Sequence, residues 1–233
     1  MSIIPDKPPF KFLDILYKKE FILLIVLISI LIINSNITPY FLDLYNLIDS
    51  TFLFSEKAII ALTMTFVIIA RHIDLSVASI IAVSSCVLGY TTSLGYDTWI
   101  VLLLTLFSGA LCGAFNGAII TKFAIPSIIV TIGTMSLFRG LAYSFLEDSY
   151  YNKFPKLVTN LGSGYLFGYI PYAFLTFILL AFVFAFILHK TSVGKKIYSI
   201  GNNPDAAQYT GIAVDRYTFV LFTLNGLFSA IAA

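Results

Sequence analysis

Apolar runs of near-bilayer length recur along this chain, at residues 21–33, 52–70, 75–94, 99–120, 125–145, 171–188 and 217–233. Each approaches the ~20 residues that cross a hydrocarbon core, so the pattern predicts an all-α, polytopic helical membrane protein with about seven transmembrane helices. Residues 34–51 hold no lysine or arginine and read as a connection. The longest polar interruption, TSVGKKIYSIGNNPDAAQYTGIAVDR at residues 191–216, is different in kind. Inside it Asn203 precedes Pro204, Asp205 follows, and Gly211 closes the run. Capping side chain, first-turn proline, carboxylate at the positive end and terminal glycine stand in helix order, which predicts a two-turn helix over 204–210. So short a helix persists only when packed against something. It is either a capped turn between two spans or a helix seated on a cytosolic partner.

Composition sharpens this picture. The chain of 233 residues is 59% hydrophobic and 11% charged, with a mean hydropathy of +0.94, against roughly a quarter charged in soluble domains. A net charge of +2 suggests no nucleic-acid partner. Lys7, Lys11, Lys18 and Lys19 crowd the tail 1–20, ahead of a membrane domain over 21–233. By the positive-inside rule the N-terminus of this multi-pass membrane protein is cytoplasmic. The loop 189–216 falls on the same side with His189, Lys190, Lys195, Lys196 and Arg216, and the polar loop 147–169 falls outside with Lys153 and Lys156. The first apolar run ends in Asn34, Ser35 and Asn36 without a cleavage pattern, so it reads as an uncleaved span. Cys86 and Cys112 lie in apolar runs and behave as small hydrophobes.

Candidate chemistry is sparse. Gly109, Gly113 and Gly117 recur every four residues and form a bare face for close helix packing, with Asn116 beside them as an interhelical hydrogen bonder or a transport residue. The run 125–145 puts Ser127, Thr131 and Thr134 on one stripe and Gly133, Ser136 and Gly140 on the adjacent one. Arg139 stands about 20 Å along that helix from Pro126, either snorkelling to the outer interface or bordering a path. Asn116, Thr131, Thr134, Ser136 and Arg139 are the candidate substrate path. With hydroxyls, an amide, an arginine and no acidic residue at mid-span, it suits a small neutral polyhydroxylated compound. Asp74 and Ser76 are expected to cap the third span, with Arg71 and His72 on its cytoplasmic side. His72 and His189 lie too far apart in sequence for a metal site. No GxxxxGK[ST] loop surrounds Gly194 and Lys195, so no cofactor is expected on this chain, and nucleotide chemistry belongs to another subunit.

Four ordered blocks carry a resemblance: IDLSVAS at 73–79, GAFNG at 113–117, TIGTMSLFRGLA at 131–142 and GNNPDAAQYTGI at 201–212. Together they resemble the permease subunits of bacterial ABC importers of the ribose type, which carry sugars, related polyols or furanosyl signals. The resemblance implies a subunit that is not itself an enzyme. Its implied partners are an ATPase subunit, a second permease subunit, an extracytoplasmic sugar-binding protein and the lipid bilayer. It further implies that Gly201, Asn202, Asn203, Asp205, Ala206, Ala207 and Gly211 form a coupling helix for the ATPase. Arg71 and His72 stand where the family commonly has two glycines, which looks like the rhamnose or furanosyl-autoinducer branch. Gln208 replaces a frequent arginine. Members continue through about three further spans after the TLNG run at 223–226, to ten or so in all, so the chain is expected to be cut short, as a fragment or as a non-transporting remnant. A secondary transporter or channel is the other class, for which intramembrane carboxylates and broken helices are expected.

Overall fold

The computed structural model describes residues 19–146 and 150–233; the tail lysines Lys7, Lys11 and Lys18, and residues 147–149 of the polar loop 147–169, lie outside them. Among the described residues ten helices and one two-stranded hairpin follow in order: α1 (Lys19–Ile37), α2 (Leu44–Ile69), α3 (Val77–Ser93), α4 (Thr98–Phe123), α5 (Ser127–Leu146), α6 (Lys156–Ser163), β1 (Tyr165–Leu166), β2 (Ile170–Pro171), α7 (Tyr172–Lys190), α8 (Ser192–Asn202), α9 (Pro204–Tyr209) and α10 (Val214–Ala232). Seven of them stand at the seven apolar runs, and the architecture is all-α. By length and apolarity α4, α5 and α7 each suffice to cross a membrane, with a fourth if the bent α2 counts as one span; Phe21–Ile37 and Val77–Ser93 are shorter apolar helices.

The described residues up to Asp49 form one compact unit and those from Ser50 onward a second. In the first, α1 exposes apolar side chains on every side, as a lipid-facing span does. It continues past residue 33 because Asn34 and Asn36 donate to the carbonyls of Ile30 and Ile32, at 2.9 and 2.7 Å. Residues 34–37 extend α1 and residues 44–51 begin α2, so the connection between them narrows to residues 38–43. Amide groups satisfied within the helix need no water.

The second unit is organised on α4 and α10. Asp97 starts α4 by accepting from the Trp99 N–H at 2.9 Å. The stripe of Gly109, Gly113 and Gly117 faces α10: a Cβ on Gly109 would lie 2.5 Å from the Gly226 carbonyl oxygen, one on Gly113 would strike that of Phe222, and one on Gly117 would come within 3.0 Å of Phe219 Cα. Gly226 returns the contact from α10 onto Gly109 and Gly113. Around this seam one apolar cluster gathers Phe66, Val67, Ile120, Ile197, Leu221 and Phe222, and a second gathers Ile80, Val83, Cys86, Cys112 and Phe138. Both cysteines are free and buried.

The described part of the polar loop 147–169 is more ordered than a linker. Phe167 and Gly168, with φ of 54° and 79°, make a tight turn within the three-residue loop 167–169 that joins the antiparallel pairs Tyr165–Pro171 and Leu166–Ile170, closed by the Tyr169 N–H on the Leu166 carbonyl at 3.2 Å. Tyr151 lies flat against Gly89 of α3, where any Cβ would meet its ring.

The seam yields a direct expectation. Gly113→Leu should abolish or strongly reduce folded, monodisperse protein, because overpacking costs about 1–3 kcal/mol even in tolerant cores and here the obstacle is backbone. Ala110→Leu, on the half-buried flank, should keep most of it, and equal detergent stability of the two variants would refute the close approach.

Candidate functional site

Between α2 and α3 the chain leaves helical geometry, burying Asp74 and Ser76 while Arg71, Ile73 and Leu75 stay exposed. The exit is a glycine-type C-cap without glycine: Arg71 N–H donates to the Ile68 carbonyl at 2.9 Å and His72 N–H to that of Val67 at 3.0 Å, with Arg71 at φ 63°. That left-handed conformation costs a non-glycine residue about 1–2 kcal/mol. The residues standing in place of the usual glycine pair thus carry real strain. His72 Nε2 lies 3.1 Å from Thr218 Oγ1, and the ring meets Phe222 edge-on at 5.7 Å. Its role is packing against α10.

Two side chains of α5 satisfy the backbone of the break. Ser127 Oγ accepts from the Ile73 N–H at 3.1 Å, and the Thr131 hydroxyl donates to the Ile73 carbonyl at 3.2 Å. Asp74 follows, only 2% exposed. Its Oδ1 accepts from the Ser76 N–H at 2.9 Å and the Ser76 hydroxyl at 2.6 Å, and its Oδ2 accepts from Asn225 Nδ2 at 2.8 Å. Asn225 Oδ1 in turn accepts from the Thr63 hydroxyl at 2.7 Å, and Asn116 Nδ2 donates to Ser76 Oγ at 2.8 Å. One buried chain, Thr63–Asn225–Asp74–Ser76–Asn116, therefore ties α2, α10, the break and α4 together. Asn116 Oδ1 and Ser79 Oγ are buried beside it without a partner.

Three expectations need correction. Ser76 occupies the N-cap position of α3 but makes no side-chain cap, because its hydroxyl is committed to Asp74 and Asn116. An acidic residue does lie inside the helical unit: Asp74 looked like a surface cap because the break was read as a turn. The five path candidates do not share one wall, since Asn116, Thr131 and Thr134 are buried whereas Ser136 and Arg139 are exposed on the other face of α5. Gly133 and Gly140 on that exposed face have open space where a Cβ would point.

The polar stretch folds as two helices. Thr191 caps α8 by accepting from the Gly194 N–H at 3.4 Å, and α8 buries Gly194, Ile197 and Ile200. This helix was missed, although the i, i+3, i+6 run of small and apolar residues was there to be read. Next, α9 ends one residue earlier than expected, with Asn203 accepting from the Ala206 N–H at 3.1 Å, Pro204 in the first turn and Asp205 behind it. Gly211, at φ 87°, closes it, its N–H on the Gln208 carbonyl at 2.9 Å and that of Ile212 on Ala207 at 3.1 Å. Ala207 is 4% exposed and belongs to the chain's own core. It is not offered to a partner, contrary to expectation. Gly201 is likewise internal, since a Cβ there would strike the Ile69 carbonyl. Asn202, Asn203, Asp205, Ala206 and Gln208 face outward, and Tyr209 is 93% exposed. Among the described residues no three His, Cys, Asp or Glu side chains gather to hold a metal ion.

A helical unit with a glycine seam, a buried polar network at the break between α2 and α3, and a short exposed helix ahead of α10 fits a multi-pass membrane permease. The family model described as branched-chain amino acid transport system, permease component, matches residues 46–233, and the chain belongs to this family. Among curated relatives, the autoinducer 2 import system permease protein LsrD of Klebsiella pneumoniae is 34% identical over 92% of this chain and 66% of its own length. LsrC of the same kind of import system in Escherichia coli is 34% identical over 75% of this chain and 51% of its own. The ribose import permease protein RbsC of Haemophilus influenzae is 32% identical over 92% and 67%. These relatives bear out the ribose-type resemblance and its autoinducer branch. The chain spans about half to two thirds of their length. No solved structure gives a significant match.

The network predicts its own test. Asp74→Ala leaves the Ser76 and Asn225 donors buried without an acceptor, at about 1–3 kcal/mol for each lost partner, and should lower the thermal midpoint of detergent-purified protein by several degrees. Exposed Ser136→Ala should leave it unchanged. Equal midpoints for the two variants would show that the carboxyl does not hold the break.

Proposed function

We propose that this chain is the transmembrane permease subunit of an ATP-driven importer, forming the path of a sugar or sugar-like small molecule across the cytoplasmic membrane with a second permease subunit. The observation that carries this reading is α9, a helix of six residues capped at both ends. It is seated on its own chain through Ala207 and presents Asp205, Ala206, Gln208 and Tyr209 outward. Such a knob suits the groove of a separate ATPase, where ATP is hydrolysed; this chain is then no enzyme and binds no cofactor. An extracytoplasmic binding protein delivers the cargo, and nucleic acid has no part. The relatives named for ribose and autoinducer 2 favour a sugar-like cargo over the amino acids in the family's description. The exposed face of α5, with Ser136, Arg139 and the bare backbone at Gly133 and Gly140, is the wall of the path, while Asn116 and Thr131 hold the break behind it and Thr134 is buried on its own helix.

In a full-length version co-expressed with its ATPase, Ala206→Trp should cut ATPase co-purification and substrate-stimulated hydrolysis by roughly tenfold, about 1.4 kcal/mol of interface. Membrane insertion should survive, since Ala206 is exposed. Unchanged co-purification would sink the coupling role. Uptake of a labelled amino acid without competition by sugars would sink the cargo. A secondary transporter is favoured by one observation, the buried Asp74 at a broken span. It predicts uptake that collapses with an ionophore and survives ATP depletion.

The lysine and arginine distribution puts the N-terminus and α8–α9 in the cytoplasm and α6 outside. Single cysteines at the exposed Ser163 and Ser192 should therefore differ, only Ser163→Cys reacting with an impermeant maleimide applied to whole cells. Identical labelling would reverse or break this topology. The buried native thiols keep the background low.

A further inference from the structure

A cavity of about 590 Å³ opens between α2, α7, α8 and α10, within the roughly 300–1,000 Å³ of small-molecule sites. Leu180, Val183 and Phe184 on α7 face Leu224 and Phe228 on α10 across it. Two cations, Lys196 of α8 and Arg216 at the start of α10, mark one end. Both are exposed, and among the described residues neither makes an ion pair. Lys196 Nζ stands 5.7 Å from the centroid of the Tyr217 ring, and Asp215 lines a different cavity, beside Arg71 and His72. From Arg216 to Phe228 the apolar wall runs about 18 Å at 1.5 Å per residue, roughly the depth of one leaflet of a ~30 Å hydrocarbon core.

We infer that this crevice binds an anionic phospholipid of the surrounding bilayer. Its phosphate lies on Lys196 and Arg216, and one acyl chain follows Leu180, Val183, Phe184, Leu224 and Phe228. Cations confined to one end of an apolar groove one leaflet deep match the charge and length of such a lipid, and basic pockets between spans hold anionic headgroups in this way. A polyhydroxylated substrate requires several convergent polar groups, whereas the deep part of this wall offers only Thr63. Because Val193 and Ile197 of α8 and Ile212 ahead of α10 line the same space, the lipid braces the segment that carries α9. The inference needs only a membrane-embedded chain and stands apart from the cargo and partner proposed above.

The test is retention of phosphatidylglycerol by the full chain, taken from nanodiscs of phosphatidylcholine mixed with phosphatidylglycerol and read by native mass spectrometry. The unaltered chain should keep phosphatidylglycerol in preference to phosphatidylcholine and show a higher thermal midpoint than in pure phosphatidylcholine. Lys196→Gln with Arg216→Gln should weaken retention roughly tenfold or more. Leu224→Trp, which fills the apolar wall and leaves both charges, should do the same. Lys153→Gln with Lys156→Gln, removing equal charge from the outer loop, should have no effect. Equal retention by the Lys196/Arg216 variant, no preference in the unaltered chain, or displacement by inorganic phosphate alone would each overturn the inference.

Discussion

The constraint on which this structure depends is the need to satisfy a non-helical backbone inside a membrane protein. Lipid offers no hydrogen bonds, so irregular backbone persists only where protein supplies every partner. Between Ile69 and Val77 the chain meets that demand from three directions. The C-cap at Arg71 and His72 closes α2, Ser127 and Thr131 of α5 take both groups of Ile73, and the Asp74 carboxyl takes the Ser76 N–H while reaching α10 through Asn225. Remove the carboxyl and two helices lose their common anchor.

The glycine seam is the other half of the same solution. For Asn225 to reach Asp74, α10 must lie nearly backbone to backbone on α4, and Gly109, Gly113 and Gly226 permit this. Each glycine weakens its helix by roughly 0.5–1 kcal/mol relative to alanine. Close packing and the buried network offset that loss. The two features are linked geometrically: Asn225 and Gly226 are neighbours on α10, and Asn116 lies one turn beyond Cys112 on the same helix as the glycines. Small side chains set the distance, and amides and hydroxyls next to them use it.

Much of this was legible beforehand. Apolar runs located seven helices, and capping logic located α9, because both signals are local. What stayed hidden depended on depth and facing. Asp74 reads as a surface cap when the preceding Arg71 and His72 are taken for a turn, and only the packing of α5 and α10 around the break reveals that it is interior. Thr131 and Ser136 both look like path residues on a small, polar helix, yet five positions apart they end on opposite faces. Ala207 reads as room for a partner, and its smallness instead lets α9 sit on its own chain. The helix α8 escaped notice because lysines alternate with its buried stripe of Gly194, Ile197 and Ile200.

The same contacts give the exposed helix a mechanical connection to the interior. Gly201, at the end of α8, leaves no room for a Cβ against the Ile69 carbonyl, and Ile69 is the last helical residue before the break. Ala207 joins α9 to the cluster that also holds Val67 and Ala70 of that region and Phe222 of α10. A push on the outward face of α9 is therefore delivered to the end of α2 and to α10 through rigid contacts, because packed interiors transmit displacement rather than absorb it. Both helices also contribute to the Asp74 network, through Thr63 and Asn225. A shift of the short helix would therefore reach the break, where side-chain hydrogen bonds such as Asn225–Asp74 and Asn116–Ser76 can rearrange while the flanking helices stay intact.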